Sequence, residues 1–390
     1  MDKTEWQALN LISFCRNFIA GFFYVFVPLY MLSAHLPLAD IGIAIGVATL
    51  IRLLSAPFIG TLNDLTGTRH LIQLSLLGMA VGAAAMGATR PESLTLAVLL
   101  LPLALFWTAN NALILSLEAS LYKKTTSGQV AGHMGEYQAI KALAWGGGIA
   151  LSGYLLLLYP FGAIAMALAA FALLVMLPAF LVKHTVPVRF SLSEYARELR
   201  KPPVLLLCLL IFIMSFEWGV ESVALPLIYA RQAGLDTGAI GLVVLAANVV
   251  YAGVAFWVGR QFIARHLRLQ ARLVWRSLAA GMLACALASI LLFLSHDFAG
   301  AMAARMLENV GEGIISIGFG FLIGTLFSSE RVGGVNGAMN LVSGAGISVA
   351  AFASGALMGF GLGVPYLLAG SFFLVGAVIS WQAQGLRHPA

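Results

Sequence analysis

Twelve apolar runs, most of them 20 residues or longer, alternate with short polar breaks along this chain, and no other feature of the sequence constrains the fold as strongly. They lie at about 8–33, 41–62, 70–88, 95–119, 135–158, 161–182, 203–229, 238–259, 273–295, 299–327, 335–360 and 363–384. A helix needs about 20 apolar residues to cross the hydrocarbon core. In lipid every backbone N–H and C=O must find its partner within the protein, so only helices and closed barrels span. Runs of this length are helices. Only 10% of the 390 residues are charged and 61% are hydrophobic, against about 25% charged in soluble domains, which excludes a water-soluble fold. The sequence predicts an all-α polytopic membrane protein with twelve transmembrane helices and almost no extramembrane domain.

Loop charge sets the orientation. With the N-terminus inside, the inner loops and tails hold sixteen Lys and Arg residues, whereas the outer loops hold only Arg90 and Arg231. Cytoplasmic loops carry the excess of basic residues, so both termini are expected in the cytoplasm. The same bias explains the net charge of +6 without any nucleic-acid partner. The first run follows Asp2, Lys3 and Glu5, shows no small-residue cleavage pattern, and reads as a retained span.

Little room is left for soluble chemistry. There is no G-x-x-x-x-G-K-[ST] and no H-E-x-x-H, and Gly318-Phe-Gly320 follows no strand, so neither a nucleotide nor a metal cofactor is expected. Cys15, Cys208 and Cys285 sit far apart in apolar runs and read as packing residues. No nucleophile–base pair stands at useful spacing, and an enzyme is not expected.

The longest polar stretch, 183–202, divides the chain into 1–182 and 203–390, each with six spans. A weak repeat supports that division. An offset of 199 places Ile41-Gly42 on Ile240-Gly241 and Gly60 on Gly259, while an offset of 202 places Gly135, Ser152 and Gly153 on Gly337, Ser354 and Gly355. Two tandem six-span halves with both termini inside form the parallel-repeat plan of a transporter whose solute site lies between the halves near the bilayer midplane.

After the second span the sequence reads Gly60-Thr-Leu-Asn-Asp64-Leu-Thr-Gly67-Thr-Arg69-His70. This resembles the major facilitator superfamily loop G-x-x-x-D-[RK]-x-G-[RK]-[RK], matching at Gly60, Asp64, Gly67 and Arg69 and departing at Leu65. The resemblance covers the whole chain and implies two pseudo-symmetric six-helix bundles. It also implies that Asp64 latches the outward-open state against the cytoplasmic end of span eleven, where a helix N-terminus favours a carboxylate. Two further signatures are incomplete. Span four, Phe106-Trp107-Thr108-Ala109-Asn110-Asn111, lacks the family's Arg, and span five has Gly146-Gly147-Gly148 without the Pro of drug/proton antiporters. An R-x-x-x-x-x-G pattern stands instead in span ten, at Arg305 and Gly311.

Ionisable groups fall inside spans, among them Arg16, Arg52, Glu118, Lys141, Glu217, Glu221, Arg305, Glu308 and Glu312. Such groups are expensive in lipid and mark pathways. Glu217 and Glu221, like Glu308 and Glu312, are four apart and share a helix face, where a shared proton relieves their repulsion. These four are the candidate proton-coupling residues. Arg305 at i−3 from Glu308 offers a structural ion pair as the alternative for that residue. Arg16 and Arg52 suit a carboxylate or phosphate on the solute, or alternatively lock onto a Glu of the opposite half. Glu118 and Lys141, with Asp64, Arg69 and Arg305, are the candidate gating residues. Asn110, Asn111, Trp218, Tyr251 and Asn340 complete the expected solute lining.

The expectation is a monomeric secondary transporter in the cytoplasmic (inner) membrane of a bacterium. It would move a small organic solute outward in exchange for protons. Proton-coupled uptake by symport, and a transport-inactive sensor on the same fold, remain the alternatives.

Overall fold

The computed structural model describes residues 3–66, 68–90, 94–124, 130–183, 201–264, 271–326 and 332–385. Twelve long helices account for nearly all of them, and no strand occurs among the described residues. The first half comprises α1 (Lys3–Ser33), α2 (Leu38–Thr66), α3 (Thr68–Ala88), α4 (Leu96–Lys124), α5 (Val130–Leu155) and α6 (Phe161–Leu174), which continues in a short turn, Met176–Ala179. The second comprises α7 (Pro202–Leu227), α8 (Thr237–Ala264), α9 (Ala271–Leu294), α10 (Phe298–Leu326), α11 (Val332–Leu357) and α12 (Val364–Gln382). Eleven of these are long and apolar enough to cross a membrane, and the other is α5, which carries Glu136, Gln138, Lys141 and a triple glycine. Most of the expected linker, 184–200, lies outside the described residues.

Local chemistry explains where the helices stop or bend. Pro226 removes a backbone donor near the end of α7, and the chain relaxes into a π turn over Ile228–Gln232. Gly234, at φ +65°, then ends it in the left-handed region that glycine alone enters cheaply. Large apolar side chains cover the outside: Leu54, Leu101, Leu174, Phe360 and Trp381 are all exposed. In water this would be an aggregating surface; in a bilayer it is the lipid-facing belt.

The two halves repeat each other's packing. In the first, α3 packs on α4 and α6, α2 on α4, and α1 on α5; in the second, α9 packs on α10 and α12, α8 on α10, and α7 on α11. Across the halves, α5 lies along α8 and α2 along α11, which are again counterparts. The chain is therefore an all-α membrane protein of two pseudo-symmetric six-helix bundles.

Both seams close through glycine. A Cβ on Gly42 would lie 2.7 Å from the Cα of Gly355, and one on Gly241 would lie 2.8 Å from the Cα of Ala150. Gly153 sits against the carbonyl of Thr237, whose hydroxyl donates back to the Gly153 carbonyl at 2.9 Å. These are the glycines that the offset repeat pairs, 42 with 241 and 153 with 355. The repeat is thus visible in sequence because each seam needs bare backbone at the same two positions. These contacts lie toward the end carrying the connections 33–38, 155–161, 232–237 and 357–364; the described chain ends are at the other.

Candidate functional site

A cavity of about 410 Å³ lies between the halves, lined by α1, α2, α4 and α5 on one wall and by α7, α8, α10 and α11 on the other. Its position follows from the seams: they hold the walls together at one end and leave space between them at mid-depth.

The first wall is cationic. Arg16, 5% exposed, donates from Nε to Asn110 Oδ1 at 2.6 Å and from a terminal nitrogen to Asn17 Oδ1 at 2.6 Å. Asn17 in turn donates to the Ser13 carbonyl at 2.6 Å. The guanidinium is held by neutral amides, so its charge stays uncompensated by its own ligands. Arg52 also lines the cavity, and among the described residues its guanidinium has no hydrogen bond or ion pair. Neither arginine pairs with a Glu of the opposite half, so the alternative of a cross-half lock is not what these side chains form here. Lys141 is 3.6 Å from Glu118 and sits 5.2 Å over the Tyr137 ring. Asn110 reaches the cavity, whereas the adjacent Asn111 is buried away from it with Oδ1 unpartnered. Successive residues on a helix point about 100° apart, so only one of the two can face inward.

The second wall is acidic. Arg305 on α10 bridges Glu221 on α7 and Glu308 one turn along its own helix. The i+3 pair with Glu308 was foreseeable from spacing; the pair with Glu221, 84 residues away, depends on helix rotation and was not. Glu312 accepts the indole N–H of Trp218 at 2.6 Å. Glu217 is fully buried, and both its oxygens lack a partner, as does Oε1 of Glu308. Glu221, Arg305 and Glu312 line the cavity, while Glu217 and Glu308 lie behind it. One oxygen each from Glu217, Glu221 and Glu312 falls within 4.8 Å of the others. Such a convergence of carboxylates holds together only with bound cations or protons.

Aromatic rings line the cavity between the charged walls. Tyr24 of α1 lies 5.0 Å from the Trp145 ring and 6.2 Å from that of Trp107, and its hydroxyl donates across the cavity to the Trp218 carbonyl at 2.8 Å. Tyr24 was missed in the sequence. Its signal is one hydroxyl in the run Phe22-Phe23-Tyr24-Val25-Phe26, where an inward polar handle breaks an otherwise apolar stretch. Tyr251 donates to Ser316 Oγ at 2.8 Å, and Ser215 bonds Ser343 at 2.7 Å between α7 and α11. Trp218, Tyr251 and Asn340 all reach the cavity.

Arg69 stacks its guanidinium 5.1 Å over the Phe180 ring, away from the cavity. Asp64 lies on α2, but its side chain falls outside the described ones.

The comparisons with known proteins agree with this architecture. No curated protein matches the sequence. Among solved structures, the human organic anion transporter MFSD10 (TETRAN) superposes with a TM-score of 0.73 at 12% identity, covering 97% of this chain and 100% of that one. At that identity the likeness is one of fold. Residues 9–275 match the family model described as Major Facilitator Superfamily. With most of its length matched and both bundles in place, the chain belongs to the Major Facilitator Superfamily of membrane solute transporters.

Proposed function

We propose that this protein is a proton-coupled secondary transporter of a small organic anion, working by alternating access in the cytoplasmic membrane of a bacterium. The carrying observation is the division of charge across one cavity. Arg16 and Arg52 stand on one wall without a carboxylate ligand, and on the other four glutamates gather near Arg305, which pairs with two of them, Glu221 and Glu308. An open guanidinium beside Tyr24, Trp107 and Trp145 suits a carboxylate or phosphate attached to an apolar body. The similar human structure is that of an organic anion transporter, which agrees with that class.

The halves 1–182 and 203–390, joined by 183–202, act as the two rocking bodies, within a monomer. Basic loop residues place the chain termini in the cytoplasm. The glycine seams then close the outer side and the cavity faces inward. Asp64, Arg69 and the Glu118–Lys141 pair serve as inner gating contacts that must re-form when the cavity turns outward.

Linkage gives the sign of coupling. An anion near the acidic wall favours protonation of its carboxylates, and by reciprocity protonation tightens the anion. Proton and anion therefore travel together, as in symport. Outward exchange for protons, the direction favoured from sequence alone, requires a solute that brings positive charge to Glu221 and Glu312. The aromatic rings beside those carboxylates are the feature that favours this second reading.

The test is proton uptake or release by the purified protein in weakly buffered detergent on adding anionic, cationic and neutral solutes. Uptake on adding a bound anion supports the first reading, and release on adding a cation supports exchange. A solute that demonstrably binds without moving a proton sinks proton coupling.

A further inference from the structure

Resting on that reading, the unsatisfied atoms on the acidic wall single out one carboxylate. Glu217 and Glu308 are 0% and 1% exposed, and three of their four oxygens have no hydrogen-bond partner. The fourth, Oε2 of Glu308, is taken by Arg305. Two ionised carboxylates cannot satisfy each other, because both only accept. Glu217 nevertheless lies beside Glu308 in the cluster. One proton on Glu217, donated to Oε1 of Glu308, would satisfy two of the orphaned atoms at once and remove a charge from a fully buried site.

We propose that Glu217 is the residue that carries the transported proton, with Glu308 accepting its hydrogen bond and Glu221 and Glu312 relaying the proton from the cavity. Glu217 itself does not line the cavity, but an oxygen of it lies within 4.8 Å of one from each of Glu221 and Glu312, which do. In the loading step a hydronium ion in the cavity gives its proton to Glu312 or Glu221 and leaves water. The O–H bond then breaks there and forms on Glu217, restoring the relay carboxylate. Release is the reverse. Arg305 reports the event to the cavity, because it holds Glu308 with one arm and the solute-facing Glu221 with the other. While Glu217 is protonated, Glu308 and Glu221 share the guanidinium. When Glu217 ionises, the added negative charge beside Glu308 draws Arg305 toward that side and loosens Glu221.

The remaining groups facing Glu217 do not compete for the role. Tyr24, Tyr229 and Tyr366 lie near the cluster, and the hydroxyls of Tyr229 and Tyr366 are buried without a partner. Cys285 approaches the Glu308 carbonyl through its thiol. None of these offers a carboxylate, and Arg305 is the cation that the cluster holds.

The experiment compares wild type with Glu217→Gln and Glu312→Gln in full-length purified protein, using a bound anionic solute found as above. Glu217→Gln mimics the protonated side chain. It is expected to keep solute binding within about threefold and to keep solute exchange across vesicles, while losing solute-linked proton uptake. Glu312→Gln is expected to keep the proton stoichiometry and slow its rate. Unchanged proton uptake in Glu217→Gln overturns the proposal. Absence of uptake in wild type overturns instead the proton-coupled reading beneath it. Where Glu217→Gln does not fold, infrared difference spectra of wild type decide. A carboxyl C=O band that appears on solute addition and is shifted in Glu308→Gln supports the pair, and a spectrum without such a band overturns it.

Discussion

Tyr24 and Trp218 join the two halves at mid-depth: the phenol of one donates to the backbone carbonyl of the other at 2.8 Å. The same tryptophan donates its indole N–H to Glu312 at 2.6 Å, so a contact between the bundles ends directly on the acidic wall. A hydrogen bond of this kind contributes about 1 kcal/mol. Tyr24→Phe is therefore expected to shift the balance away from the state seen here by about fivefold. Distances between spin labels on the outer ends of α2 and α11 would read that shift, and an unchanged distribution would show that the bond does not bias the states.

Arg16 and Arg52 separate stability from binding. Arg52 has no partner to lose among the described residues, so Arg52→Gln is expected to leave unfolding within about 0.5 kcal/mol of wild type. Its affinity for an anionic solute should fall by roughly tenfold to a hundredfold, the worth of a hydrogen bond to a charged group. Arg16→Gln also breaks the bonds to Asn110 and Asn17 and should lose about 1–3 kcal/mol of stability as well. Thermal melts alongside binding titrations check both halves of this contrast.

Arg305 is the reverse case, since its charge is what keeps Glu221 and Glu308 tolerable inside the bundle. Removing one partner of a buried ion pair costs about 3–5 kcal/mol. Arg305→Met is expected to fold poorly, and adding Glu221→Gln with Glu308→Gln is expected to recover most of the loss. Arg305→Lys should recover little, because one ammonium cannot span two carboxylates on different helices as the planar fork does. Folded yield in detergent across the four proteins is the measurement.

At the seam, Gly42→Val places two methyl groups where a Cβ alone already lies 2.7 Å from Gly355. Overpacking of this kind costs about 1–3 kcal/mol, and here it falls on the closed end only. The variant is expected to open that end, raising the labelling rate of a cysteine placed on the outer part of α11. An unaltered rate would mean that the seam yields without changing the state.

Much of the architecture is legible in the sequence because it is written in one dimension. Hydropathy counts the spans, and the offset pairing of Gly42 with Gly241 and Gly153 with Gly355 shows the repeat, whose glycines the structure then places at the seams. Within one helix, spacing also suffices: Arg305 and Glu308 meet as i and i+3 must. Spacing fails between helices. Nothing along the chain says that α7 turns Glu221 toward Arg305 but leaves Glu217 behind the cavity, or that α4 presents Asn110 and hides Asn111. Those outcomes are set by helix rotation, which packing against several neighbours decides at once. Tyr24 escaped for a related reason, since its importance lies in a backbone carbonyl 194 residues away.

The glycine seams bear on how such a machine can move at all. Interlocked side chains resist motion, because each must change rotamer before the surfaces part. Along Gly42–Gly355 and Gly241–Ala150 there is almost nothing to unpick: backbone lies on backbone. One bundle can roll on the other as a rounded edge rolls on a table, with the pivot travelling along the helix axis and little friction from rearranging side chains. The cost of turning over is thereby concentrated in the few polar contacts around the cavity, and those are the contacts that a bound solute can touch.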